Sequence, residues 1–239
     1  MRIIADTHTH TLASGHAFST ITENAAQAKK MGLDYLFMCE HTKAMIGAAP
    51  DVFFESALCS LPREIGGVTV VRGCEANVMD STGRLDMEQG LLARLEWVIA
   101  SMHPLVVSPM SKAECTRAWR AIAENPHVDV LGHCGDGRYP FDHEEVVKAC
   151  ARTGTLIEIN NHSFSSRPGS PENCADIAGL CIKYGVRVTV SSDAHFWTQI
   201  GVFDQALAML ARIQFPQELV VNADRLRLAK VLEDKAKAG

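Results

Sequence analysis

Seven short, almost uninterrupted apolar runs divide this chain, at about 2–7, 34–40, 68–76, 97–102, 128–132, 155–160 and 186–192. Strands that do not alternate apolar with polar residues are buried on both faces, as in a parallel sheet covered by helices. Parallel neighbours need a crossover between them, and helical spacing follows the runs at 22–30, 50–60, 111–124, 142–153, 171–184, 203–213 and 223–236, with a further pattern before residue 97. Thr22 reads as a helix N-cap, Gly32, Gly154 and Gly185 as stops, and Pro62 as a breaker. No stretch has linker composition. The expected fold is therefore α/β, a TIM-like (β/α)7 barrel of seven strand–helix units forming a single domain over residues 1–239.

A composition of 47% hydrophobic and 21% charged residues suits a chain of this length with one sizeable core. The net charge of −5 and the absence of a basic run argue against a polyanionic partner. Cys39, Cys59, Cys74, Cys115, Cys134, Cys150, Cys174 and Cys181 form no C-x-x-C pair and several sit inside apolar runs, so they read as reduced, packed thiols. The opening MRIIADTHTH has no signal-peptide pattern, and no apolar run approaches the ~18 residues of a membrane span. A cytoplasmic protein with no membrane partner is expected.

Chemistry enters where the runs end. Asp6, Thr7, His8, Thr9 and His10 close the first one, and strict alternation along a strand places Asp6, His8 and His10 on one face, about 6.5–7 Å apart. The later runs lead into His41, Glu75, His103, His133, Asn160, and then Asp193 and His195, while His16 lies in the loop after the first. In a parallel barrel all carboxyl ends of the strands meet at one rim. A single histidine is more often a satisfied polar residue than a ligand. Here, however, seven of the ten histidines fall in this set, with only His127, His143 and His162 outside it, and independent accidents would not agree on one rim. Asp6 and Glu40 are expected to orient the ligands, and Cys39, Cys74 and Cys134 to point to the opposite face.

The motifs DTHTH (6–10), CEH (39–41), CE (74–75), SMH (101–103), GH (132–133) and SSDAH (191–195), intact and in order, resemble those of the PHP family, named for polymerase and histidinol phosphatase, and most closely its stand-alone YcdX-type phosphatases. The resemblance implies a distorted barrel of seven strands and about three metal ions per chain. It assigns His8, His10, Glu75 and Asp193 to one ion, Glu75 with His103 and His133 to a second, and His16, His41 and His195 to a third. Glu75, Asp193 and His195 are the implied catalytic residues. A carboxylate can span two ions, which a neutral histidine cannot, and thiolate-free, nitrogen-rich ligation favours zinc, with manganese or iron as substitutes.

The implied activity is that of a phosphoric monoester hydrolase, in which a metal-bound hydroxide attacks a small phosphorylated metabolite; phosphate or sulfate would occupy the same site. Arg167, in a glycine- and proline-containing loop, is the first candidate to grip the substrate, followed by Lys43 and Arg138. Two other readings are a PHP-type phosphodiesterase or nuclease, disfavoured by the acidic chain and the lack of a basic, aromatic-studded groove, and a non-catalytic metal-binding regulatory module.

Overall fold

Each apolar run contributes a strand to one sheet. The computed structural model describes residues 1–238, with side chains through residue 235. In chain order the elements are β1 (Ala5–Thr9), α1 (Ile21–Lys30), β2 (Tyr35–His41), α2 (Asp51–Glu55), β3 (Glu64–Ile65), β4 (Val68–Asn77), α3 (Gln89–Leu92), β5 (Trp97–Ser101), α4 (Lys112–Ala123), β6 (Val130–Leu131), α5 (His143–Thr153), β7 (Leu156–Asn160), α6 (Ser163–Ser166), α7 (Ser170–Tyr184), β8 (Val188–Ser191), α8 (Asp204–Arg212) and α9 (Arg225–Ala238). Seven strands run parallel in the order β1-β2-β4-β5-β6-β7-β8, giving a nearly closed barrel with helices between the strands.

The seam between β8 and β1 explains how seven strands suffice. Near the rim it is closed by a parallel bridge between Thr9 and Ala194. Lower down, the buried side chain of Asn222 stands in for a strand: Nδ2 donates to Ala5 O (2.8 Å) and Val190 O (2.6 Å), and Oδ1 accepts from Val190 N (3.0 Å). One amide thus satisfies backbone groups on both edges.

The structure departs from the expected elements in a few places. Residues 50–60 form the short α2 and a 3-10 turn at Ala57–Ser60 rather than one helix. The helical pattern before residue 97 shrinks to the single turn of α3, and β6 is only two residues long. The short β3 pairs antiparallel with β4 across Gly66 and Gly67, both at positive φ; the signal was a Gly-Gly pair between apolar residues. The cap of α1 is Thr20 instead of Thr22, because Thr20 Oγ1 accepts from Glu23 N while Glu23 reaches back to Thr20 N.

Two apolar layers fill the molecule. Outside the sheet, Cys74, Val98, Leu131, Trp119, Ile122, Val147 and their neighbours pack strands against helices. Inside and below the rim, Ala5, Phe37, Cys39, Val71, Trp97, Ile99, Val130 and Leu156 form a plug, with Phe37 edge-on to Trp97 at 5.0 Å between ring centroids. Gly73 makes room for this plug: a Cβ there would lie 2.4 Å from Trp97 O, a backbone atom that cannot swing aside. Gly73→Ala should therefore destabilise the fold by about 1–3 kcal/mol, an overpacking cost, lowering the thermal midpoint. An unshifted midpoint would show that the plug is looser than its packing indicates.

Candidate metal centre

The DTHTH segment reaches the rim through a β-bulge. Asp6 is opposite Leu36 and Thr9 is opposite Met38, so Thr7 and His8 together face the single residue Phe37. The extra residue reverses the alternation. Ala5 belongs to the interior plug, and His8 and His10 still point inward above it, although strict alternation would separate Ala5 from both. Asp6 therefore does not share their face, contrary to the sequence expectation. Its carboxylate accepts from Ser192 N (3.0 Å) and Gly201 N (2.9 Å) and ties the loop after β8 to the base of β1.

Glu75, at the inner end of β4, is the hub. Its Oε1 lies 2.8 Å from His133 Nε2 and 3.2 Å from His103 Nε2. Its Oε2 faces the other side, 2.9 Å from His41 Nδ1, 3.3 Å from His8 Nε2 and 3.5 Å from His10 Nε2. Asp193 Oδ1 approaches the same two imidazoles, at 3.3 Å from His10 Nε2 and 3.7 Å from His8 Nε2. His195 and His16 face each other at 3.1 Å between their Nε2 atoms, and the His16 ring stacks on His41 at 4.7 Å. The nine residues expected as ligands are thus brought to one rim.

Two of them sit on strained backbone. His133 (φ 30°) and Asp193 (φ 56°) occupy the left-handed region that side-chain-bearing residues avoid. Hydrogen bonds hold both: His133 N donates to Glu158 Oε2 (2.6 Å) and Asp193 N to His8 O (3.0 Å). Such strain persists only where the surroundings over-determine it, commonly at functional sites.

The charge balance calls for cations. Glu75, Asp193 and Glu158 are all buried, and burial raises a carboxyl pKa; yet the neighbouring imidazoles hold Glu75 and Asp193 well below the ordinary range, with Arg167 adding to the effect at Asp193. At His8 burial works to lower the pKa but Glu158, Glu75 and Asp193 override it, so a positive charge is favoured on that ring. His10 is driven well below its ordinary value by burial and by His41 and His195, and His16 likewise to about 4, which keeps them in the neutral form that ligates metals.

The decisive observation is a set of orphans. His8 Nε2, His10 Nε2, both ring nitrogens of His41, and Glu75 Oε2 are buried without a hydrogen-bond partner, His41 Nδ1 being close to Glu75 Oε2 but outside hydrogen-bonding geometry. Unpaired buried polar atoms are costly and rare. Here they converge, with His8–His10–Glu75, His10–His41–His195 and His41–Glu75–His103 each offering ligand atoms within 4.8 Å of one another. The donor set fits divalent metal ions of the zinc type.

Groups behind the ligands aim them. His8 Nδ1 donates to Glu158 Oε1 (2.6 Å), and Glu158 also accepts from Ser191 Oγ (2.6 Å) and Asn160 Nδ2 (3.2 Å). His10 Nδ1 donates to Ser14 Oγ (3.0 Å), whose own proton goes to Glu40 Oε2. Sequence reasoning assigned Glu40 to this kind of role but missed Glu158 and Ser14. Glu158 stands inside the run TLIEIN, where a mid-strand acid in an otherwise apolar run was the available signal.

A cleft of about 350 Å³ opens over the cluster, lined by His16, His41, His103, Arg138, Arg167 and His195, with Met45 and Leu105 beside them. Arg167 Nη2 donates to Asp193 Oδ2 and Nη1 to Ser163 Oγ, each at 3.0 Å. Arg138 is at the mouth, its guanidinium forked onto Asp136. Lys43 does not reach the cleft: its ammonium pairs with Asp51 (2.5 Å), half exposed, in a separate groove beside Arg84 and Glu88. His162, left out of the sequence-derived set, lines the cleft next to Arg167. Cys39 also differs from expectation, because it lies two residues before His41 on the same inner face and joins the interior plug. A second cavity of about 360 Å³, bordered by Tyr35, Val71, Leu95 and Leu232, lies at the opposite end of the barrel.

Fold and site together define a class, the metal-dependent hydrolases that assemble their centre on the C-terminal rim of a parallel barrel. Over 237 residues the chain is 43% identical to a probable phosphatase of Clostridium botulinum, covering 99% of this chain and 97% of that one. It is 44% identical over 237 residues to a probable phosphatase of Thermoanaerobacter sp., covering 98% and 96%. The chain belongs to the family of these bacterial probable phosphatases. Among solved structures it is similar to a histidinol phosphate phosphatase of Lactococcus lactis crystallised with zinc, L-histidinol and phosphate, with a TM-score of 0.66, 17% identity, and coverage of 89% of this chain and 94% of that one; at that identity the likeness concerns the barrel. No family model matches the chain. Among the described residues, no helix is long and apolar enough to cross a membrane.

Proposed function

We propose that the chain is a PHP-type phosphomonoesterase of the YcdX kind, a single domain acting on a small phosphorylated metabolite with about three metal ions. The observation that carries this reading is the division of Glu75, Oε1 towards His103 and His133, and Oε2 towards His8, His10 and His41, together with the orphaned nitrogens around it. His8, His10 and Asp193 with Glu75 would hold one ion, His103 and His133 with Glu75 a second, and His16, His41 and His195 a third. Zinc, or manganese or iron in its place, when held by these residues would supply a nucleophile at neutral pH and positive charge opposite the phosphoryl oxygens.

The chain's own residues do the rest. Glu158, Glu40 and Ser14 keep imidazole lone pairs aimed inward. Arg167 spends two of its five N–H donors on Asp193 and Ser163, which leaves others to take phosphoryl oxygens at the cleft wall. A cleft of about 350 Å³ suits a metabolite rather than a polymer. The eight cysteines are free, seven of them buried, which supports a reducing, cytoplasmic setting.

The test compares p-nitrophenyl phosphate, bis(p-nitrophenyl) phosphate and single-stranded DNA. The monoester should be hydrolysed at least ~10²-fold faster in kcat/KM, about 2.7 kcal/mol of discrimination. A preference for the diester or for DNA would replace this reading with the nuclease one. Arg167→Ala should raise KM for the monoester about tenfold or more, the value of a lost charge-assisted hydrogen bond, with partial recovery in Arg167→Lys. An unchanged KM would remove Arg167 from the substrate site.

A further inference from the structure

A buried relay stands behind His103, and its far end, two hydrogen bonds from the imidazole, is the carboxylate of Asp86. Asp86 closes the turn segment after β4 and is 8% exposed. Its oxygens accept from Thr42 Oγ1 (2.6 Å), Ala44 N (2.8 Å), Asn77 N (2.8 Å) and Asn77 Nδ2 (2.9 Å). A carboxylate only accepts, so the Asn77 amide must turn its nitrogen towards Asp86. Two more acceptors reinforce that choice: Thr42 O lies 3.3 Å from Asn77 Nδ2, and Thr42 Oγ1, its proton already given to Asp86, lies 3.1 Å from it. The amide oxygen is left facing His103 Nδ1 at 2.8 Å.

We infer that Asp86 is a positioning residue which, through Asn77, fixes the proton of His103 on Nδ1 and keeps the Nε2 lone pair directed at Glu75 Oε1 and His133 Nε2, each 3.2 Å away. An amide is symmetric in shape but not in hydrogen bonding; without Asp86 it can turn over, offer N–H to the imidazole, and push the proton onto Nε2, where it blocks ligation. The same logic recurs around the rim. His8 hands its Nδ1 proton to Glu158 directly, and His10 relies on Glu40 through Ser14. Asp86 extends this to His103, and because it also ties down Ala44 N it joins the loops after β2 and β4 to the orientation of one ligand.

The inference rests on His103 being a ligand, as proposed above, but its test reads the His103 tautomer and zinc affinity rather than hydrolysis, so the two can fail separately. Nitrogen NMR of 15N-histidine-labelled protein, assigned with His103→Gln, should place the His103 proton on Nδ1 in the wild type. Asp86→Asn should give a mixture of tautomers and bind zinc about 10–100-fold more weakly, the usual cost of losing a group that orients a ligand. The double variant Asn77→Asp with Asp86→Asn reverses the polarity of the pair and should restore the Nδ1 tautomer. A role confined to clamping the loops predicts lower thermal stability with the tautomer unmoved and no recovery in the double variant. A wild-type proton on Nε2, an unaltered tautomer in Asp86→Asn, or an Nε2 proton in the double variant would each overturn the assignment.

Discussion

Glu75→Gln should lower phosphatase turnover by about 10³-fold or more, roughly 4 kcal/mol of transition-state stabilisation, while the barrel remains folded. The effect is this large because five imidazoles approach one carboxylate within 3.5 Å, and each of its oxygens serves a different subset. Glutamine keeps the volume but removes the charge and one of the two oxygens able to hold an ion, and its amide N–H would cap ring-nitrogen lone pairs that the metals need. Two of the three proposed ions share this residue, so metal analysis should fall from about three per chain to about one. Retained turnover with full metal content would refute the shared-carboxylate arrangement outright.

Removing metal with a chelator should cost both activity and fold stability, and zinc should return both. Glu75, Asp193 and Glu158 are buried around His8, and a proton on that ring is a poor replacement for several divalent charges. An ion present at about a thousand times its dissociation constant stabilises the folded chain by about 4 kcal/mol. At roughly 2–4 °C per kcal/mol for a chain of this size, each occupied site should raise the thermal midpoint by about 8–16 °C. Calorimetry with and without chelator measures this. A chelated protein that melts where the untreated one does would mean that the buried carboxylates are already balanced by the protein itself.

Much of the architecture was legible in the sequence because the signals were local. Near-continuous apolar runs such as VTVVRGC and TLIEIN identify strands covered on both faces, and Gly154 and Gly185, which stop α5 and α7, follow from the local left-handed turn that ends a helix. The 50–60 region was misread for the converse reason: a weak apolar pattern does not reveal that the chain there turns after α2. The substrate-side candidates separated only in three dimensions. Lys43 follows His41 by two residues, yet its loop turns outward to Asp51, whereas Arg167, distant in sequence from every proposed ligand, lies against Asp193.

The sequence by itself determined the order of strands and helices, the barrel they form, and the kinds of side chain delivered to the strand ends, since each depends on residue type and on periodicity over a few positions. Tertiary structure alone decided which way those side chains face and what stands behind them. The bulge at Thr7 and His8 turns Asp6 away from the centre, and Glu158, Asn77 and Asp86 acquire their roles from hydrogen bonds to partners on other segments. The physical reason is that facing and tautomer are set by register and by hydrogen-bond partners supplied from elsewhere in the chain, and neither is encoded in the identity of the residue that carries the ligand atom.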